Sequence, residues 1–165
     1  MAHHPLRVLS AGGDTTIETS LCSTCPHGPS GCCAAPPRIA FADIARIVRH
    51  GGRDWLLAEI AAGRLVAKES FLNYTRPNGA CVYVGPRGCT IPHDRRSATC
   101  NYYVCESSLE VGGETASQAR ITRDRLEAEY ARRDETLAAK LKKPIVFDAP
   151  TLDILAAELG SCMIE

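Results

Sequence analysis

Nine cysteines in 165 residues, eight of them gathered into two clusters, constrain this chain more than any other feature. The first cluster is Cys22, Cys25, Cys32 and Cys33, with the spacing Cys-x2-Cys-x6-Cys-Cys. The second is Cys81, Cys89, Cys100 and Cys105, with gaps of x7, x10 and x4. Thiols grouped this way either pair as disulfides in an oxidising compartment or bind metal in a reducing one. The N-terminus, MAHHPLRVLSAGGD, carries no apolar signal-peptide core. No stretch reaches the roughly 20 apolar residues that span a bilayer. An odd number of cysteines also pairs poorly. These points favour a cytoplasmic protein with reduced, metal-binding cysteines and no membrane partner.

The spacing says what kind of centre to expect. Two cysteines separated by two residues can hold one metal from a tight turn, which is half of a common zinc site. The adjacent Cys32 and Cys33 diverge, so one ligates while the other packs or serves a second metal. The second cluster has no two-residue knuckle and matches neither a zinc ribbon nor the bacterial ferredoxin spacing. Eight thiols exceed what one tetrahedral ion needs. Two zinc ions, or one iron–sulfur cluster with structural thiols to spare, both satisfy the count. All eight cysteines are therefore candidate ligands, and a metal ion is the expected partner.

The 19 Lys and Arg balance the 19 Asp and Glu, so no net field draws the chain to nucleic acid. Residues 1–20 show no hydrophobic period and read as a flexible leader, with His3 and His4 solvated. The segment LCSTCPHGPSGCCAAPP, 21–37, is broken by two glycines and four prolines, so a metal would supply the constraint that backbone ladders cannot. Helices are expected over Ala42–His50, closed by Gly51-Gly52, and over Asp54–Ala62, closed by Gly63. A strand is expected within Leu65–Tyr74. Residues 80–84 and 89–91 suggest a short hairpin around Gly85-Pro86-Arg87-Gly88. A long charged helix follows over 114–142 with the sparse stripe Ile121, Leu126, Tyr130, Leu137 and Leu141. It either packs on the domain or docks a protein partner. A last helix, with Thr151 as N-cap, is expected to end at Leu159, before Gly160. The expected fold is a small irregular α+β, cysteine-rich and metal-stapled domain over 21–110. The leader at 1–20 precedes it, and a helical C-terminal extension at 111–165 follows.

Taken in order, the cysteines resemble the YkgJ-type CxxCxxCC domain, a zinc- or iron-chelating family. The likeness covers about Leu21 to Cys105. Gly79-Ala80-Cys81-Val82-Tyr83-Val84 and Cys89-Thr90-Ile91 match its pattern G-x-C-x-F-L…C-x-I-Y, while Arg96, Cys100, Tyr103 and Cys105 match R-P-x-x-C-R-x-F-x-C. Ser97 stands where the pattern has proline, Asn101 where it has arginine and Pro92 where it has tyrosine. The resemblance implies a bound metal and no particular reaction. Similar patterns accompany flagellin lysine methylases, but the chain has no glycine-rich loop after a strand to bind a methyl donor.

Other candidates are weaker. His27 and His93 lie near the clusters but compete with eight thiols, and His50 suits a helix C-terminus. Cys162 falls outside the match and reads as a free thiol. The carboxylates Asp124, Glu127, Glu129, Asp134 and Glu135 read as a solvated helix face, and no catalytic residue is assigned. The expected function is a structural or accessory metal-binding module holding zinc or an iron–sulfur centre. An iron–sulfur redox protein or enzyme and a metal carrier are the alternatives.

Overall fold

In the computed structural model, residues 6–11, 14–19, 38–74, 80–85, 88–97, 100 and 114–162 are described. Two compact units form: Arg38–Tyr74 with Glu129–Glu165, and Met1–Pro37 with Thr75–Ala128. We call them the helical unit and the cysteine unit. Both helices and short antiparallel strands are present, so the fold is a small α+β one. The division differs from the contiguous 21–110 and 111–165 partition expected, and the reason lies in the core of the helical unit.

That core is built around helix α1, Phe41–Arg49. Phe41 through Ile47 are all buried, so this helix needs cover on nearly every side. The cover comes from α2, Arg53–Ala61, and from the C-terminal helix α4, Ala149–Cys162, which packs along α1. Leu56 of α2 and Leu152 and Leu155 of α4 have no exposed surface, and Phe147 stacks on Phe41 with ring centres 6.1 Å apart. On the surface, the Arg53 guanidinium reaches across to Asp153 at 2.8 and 3.3 Å. The C-terminal segment is thus part of the same core as α1 and α2, not an appendage.

Local signals set the helix ends. Ala40 offers no side-chain cap, so the carboxylate of Asp43 accepts the Ala40 N–H at 3.1 Å. A second carboxylate, Asp134, accepts the Ala42 N–H at 3.3 Å. Both place negative charge at the positive end of the helix. Asp43 also lies 3.6 Å from Arg46, whose side chain is fully buried one turn on. At the C-terminus Gly51 adopts φ +83°, its N–H bonds to Val48 O, and Gly52 N–H bonds to Ile47 O. This is the paired bonding of a Schellman motif. Gly63, at φ +76°, repeats it on α2, with Gly63 N–H to Ile60 O and Arg64 N–H to Glu59 O. There Arg64 also clasps Glu59 through two hydrogen bonds of 2.6 and 2.8 Å.

The strand expected within Leu65–Tyr74 is instead a hairpin of two short strands, β3 Val66–Ala67 and β4 Leu72–Asn73. Lys68 N–H closes the turn onto Phe71 O, and the exposed, polar Lys68-Glu69-Ser70 explains the break. Leu72 bridges Ile39 through two backbone hydrogen bonds. The last helix starts before its expected N-cap. Asp148 accepts the Thr151 N–H at 3.0 Å, so Asp148 is the cap, Thr151 lies inside the first turn, and the helix continues past Gly160.

In the cysteine unit, residues expected to form an aperiodic leader make two antiparallel strands. These are β1 Leu6–Ala11 and β2 Asp14–Thr19, in register from Leu6↔Thr19 to Ala11↔Asp14. The local signal is the β-branched run Thr15-Thr16-Ile17, which favours a strand. Strands β5 Val84–Gly85 and β6 Gly88–Cys89 pair as Val84↔Cys89 and Gly85↔Gly88. Helix α3, Glu114–Ala138, contributes to both units and stops four residues short of Lys142. Of its expected stripe, Leu126, Tyr130 and Leu137 are buried, Leu141 is half-buried and Ile121 is exposed. Arg133 is buried as well, paired with Glu129 one turn back and lying over the Tyr130 ring.

Candidate metal centre

The second cysteine cluster is organised by the β5–β6 hairpin and the turn that follows it. The strand expected over 80–84 is shorter than its sequence suggests, because Cys81 starts a turn in which Val84 N–H bonds to Cys81 O. The same turn brings the Tyr83 N–H to 3.4 Å from the Cys81 sulfur. Across the hairpin, Cys89 sits in β6, and Thr90 donates both its N–H and its hydroxyl to Tyr83 O, at 2.9 and 2.6 Å. These bonds fix the distance between the two cysteine-bearing segments.

Beyond Pro92 a single 3-10 turn, His93–Arg95, reverses the chain and delivers Arg96 and Ser97 into the interior. The Arg96 Nε–H lies 3.2 Å from the Cys89 sulfur and 3.0 Å from Ile91 O, so one donor serves both. The Cys89 thiol in turn stands 3.5 Å from Ile91 O. Ser97 is 1% exposed, and its hydroxyl accepts the Cys100 N–H at 3.2 Å, the relation of an N-cap to the third residue after it. Ser97 therefore anchors the backbone of Cys100.

Cys89 and Cys100 both act electrostatically on the buried Cys81. Burial pushes the Cys81 thiol up to about 11, the Tyr83 amide pulls it back, and the nearby Cys100 and Cys89 sulfurs push it further up. Ionised together in a partly dry setting, these sulfurs repel, and a bound cation would relieve that repulsion. Soft thiolates suit zinc and iron–sulfur clusters, so the donors fit such a group in kind. Among the described residues, however, no group of three or more His, Cys, Asp or Glu could hold a metal ion.

The remaining predicted ligands, Cys22, Cys25, Cys32, Cys33 and Cys105, lie outside the described residues, as does His27. The backbone of His93 belongs to the 3-10 turn and that of Cys162 to the last position of α4, in the helical unit. His50 caps the end of α1 and is exposed. Sequence reasoning missed the function of Arg96 and Ser97. Arg96 was visible only as a letter in a motif, since its target sulfur lies seven residues earlier and across a turn. Among the described residues, no helix is long and apolar enough to cross a membrane. No family model, no curated protein and no solved structure matches this chain.

Proposed function

We propose that this protein binds metal through its two cysteine clusters, as a structural or accessory module of the YkgJ-type CxxCxxCC kind, in a reducing, cytoplasmic setting. The observation that supports the proposal is that Cys81 and Cys89, on the two sides of the β5–β6 hairpin, each have an N–H aimed at sulfur, from Tyr83 and Arg96. Thiolate sulfurs are the donors that zinc and iron–sulfur centres take. Cys22, Cys25, Cys32, Cys33 and Cys105 supply the further ligands for zinc or an iron–sulfur centre.

Anaerobic purification followed by metal and sulfide analysis tests this. A colourless protein with stoichiometric zinc, or a brown one with iron and sulfide, is the expected result. Stripping that metal with a chelator under reducing conditions lowers the melting temperature by many degrees, because structural zinc contributes on the order of 10 kcal/mol in small domains. Protein that holds neither metal when kept reduced would sink the proposal.

A further inference from the structure

We infer that Asp124 is a latent helix start inside α3, which lets the cysteine unit open and close while the helical unit, with the second half of α3, stays folded. This stands apart from the metal-binding function proposed above and does not depend on it. Helix α3, Glu114–Ala138, runs unbroken, yet its residues through Ala128 belong to the cysteine unit and those from Glu129 to the helical unit. The helical unit takes up the chain again at Glu129 after leaving it at Tyr74, so the segment from Thr75 to Ala128 is an insertion in it.

The second half of α3 has anchors of its own. Tyr130, Arg133 and Leu137 recur on one face of the helix and are buried at 7%, 5% and 0% exposure. The Asp134 carboxylate accepts the Ala42 N–H at 3.3 Å and ties this half to α1. A helix severed near the unit boundary would still leave four N–H groups without partners. Asp124-Arg125-Leu126-Glu127 supplies what such an end needs: a carboxylate at the N-cap and a Glu three residues later, the signature of a capping box. Beyond the first turn of α3, no other Ser, Thr, Asp or Asn of this helix is followed by Glu or Gln at that distance. Asp124 and Glu127 are both exposed, so their side chains can turn to the freed amides without disturbing a core. Glu127 also adds negative charge to the first turn of the shortened helix. Inside the continuous helix the same aspartate is a poorer choice than alanine, because its side chain competes for backbone hydrogen bonds.

The test is native-state hydrogen exchange of the full chain, purified without air, as wild type, D124A and D124N, read amide by amide as urea is raised. In wild type the amides of residues 114–123 should exchange through the same partial opening as those of the β5–β6 hairpin. Those of residues 129–138 should hold until the amides of α1 and α4 open with them. The ratio of protection between the two halves of α3 measures how much more often the cysteine unit opens alone than the whole chain unfolds. D124A should shrink that ratio about fivefold, the usual effect of replacing a capping side chain by alanine. The better helix propensity of alanine strengthens the continuous helix against both openings alike and so leaves the ratio untouched. D124N keeps a side chain that caps as well as aspartate and should leave the ratio at its wild-type value. Halves of α3 that open together in wild type overturn the inference, as does a break that lies away from residues 124–128. A ratio that D124A leaves unchanged, or that D124N shrinks as much, also overturns it.

Discussion

Replacing Leu152 with alanine tests whether the C-terminal helix belongs to the core that surrounds α1. Leu152 has no exposed surface, so the substitution removes three carbons from a fully buried position. At about 0.8 kcal/mol per buried CH2, the lost transfer energy is about 2.4 kcal/mol. Incomplete collapse of the cavity adds to this, and Leu→Ala changes in cores cost about 2–5 kcal/mol in all. We expect about 3 kcal/mol. Ile154, two residues along the same helix, is 47% exposed, and Ile154→Ala should cost no more than about 1 kcal/mol. Urea unfolding followed by the fluorescence of Trp55 gives the readout. This is the single tryptophan of the chain, and it lies in α2 within the same unit. With a slope of about 1–3 kcal/mol per molar urea, Leu152→Ala should lower the midpoint by about 1–3 M. Equal midpoints for the two variants would show that α4 does not close the core, and the division into two units would lose its physical basis.

Asp134→Ala removes the carboxylate that accepts the Ala42 N–H and should destabilise the helical unit by about 1 kcal/mol, whereas Asp134→Asn keeps an acceptor and should cost less. Burial raises the Asp134 carboxyl above its ordinary 3.8, against the Ala42 and Phe41 amides that pull it down. The folded state therefore binds the proton more tightly than the unfolded one, and wild type should gain stability relative to Asp134→Asn as pH falls through the raised value toward 3.8. A difference flat across that window would refute the assignment. Cys162→Ser should leave metal per chain unchanged, while Cys89→Ser and Cys100→Ser should lower it, measured on protein purified without air. Metal loss from the Cys162 variant equal to theirs would bring the end of α4 into the centre.

Much of the secondary structure is written locally. The apolar spacing of α1 and α2 and the glycines that end them act over one helical turn, and Gly51 and Gly63 terminate both helices with the bonds their position implies. The pairing of β1 with β2 was not read from the sequence, where residues 1–20 were expected to be a leader, although the β-branched Thr15-Thr16-Ile17 favours a strand there. The cysteine spacing named the candidate ligands. The tertiary structure decided what no neighbouring residue could specify. The apolar residues of α1 announce that it must be covered, but only packing chooses α4, about a hundred residues later, as the cover. The same holds for Asp134, which caps α1 from 92 residues away. It holds again for Arg96, whose partner is set by a hairpin and a 3-10 turn. Capping, turn and periodicity signals reside in the few residues that make the contact, whereas burial and charge pairing depend on which distant surfaces meet, and that choice belongs to the folded chain as a whole.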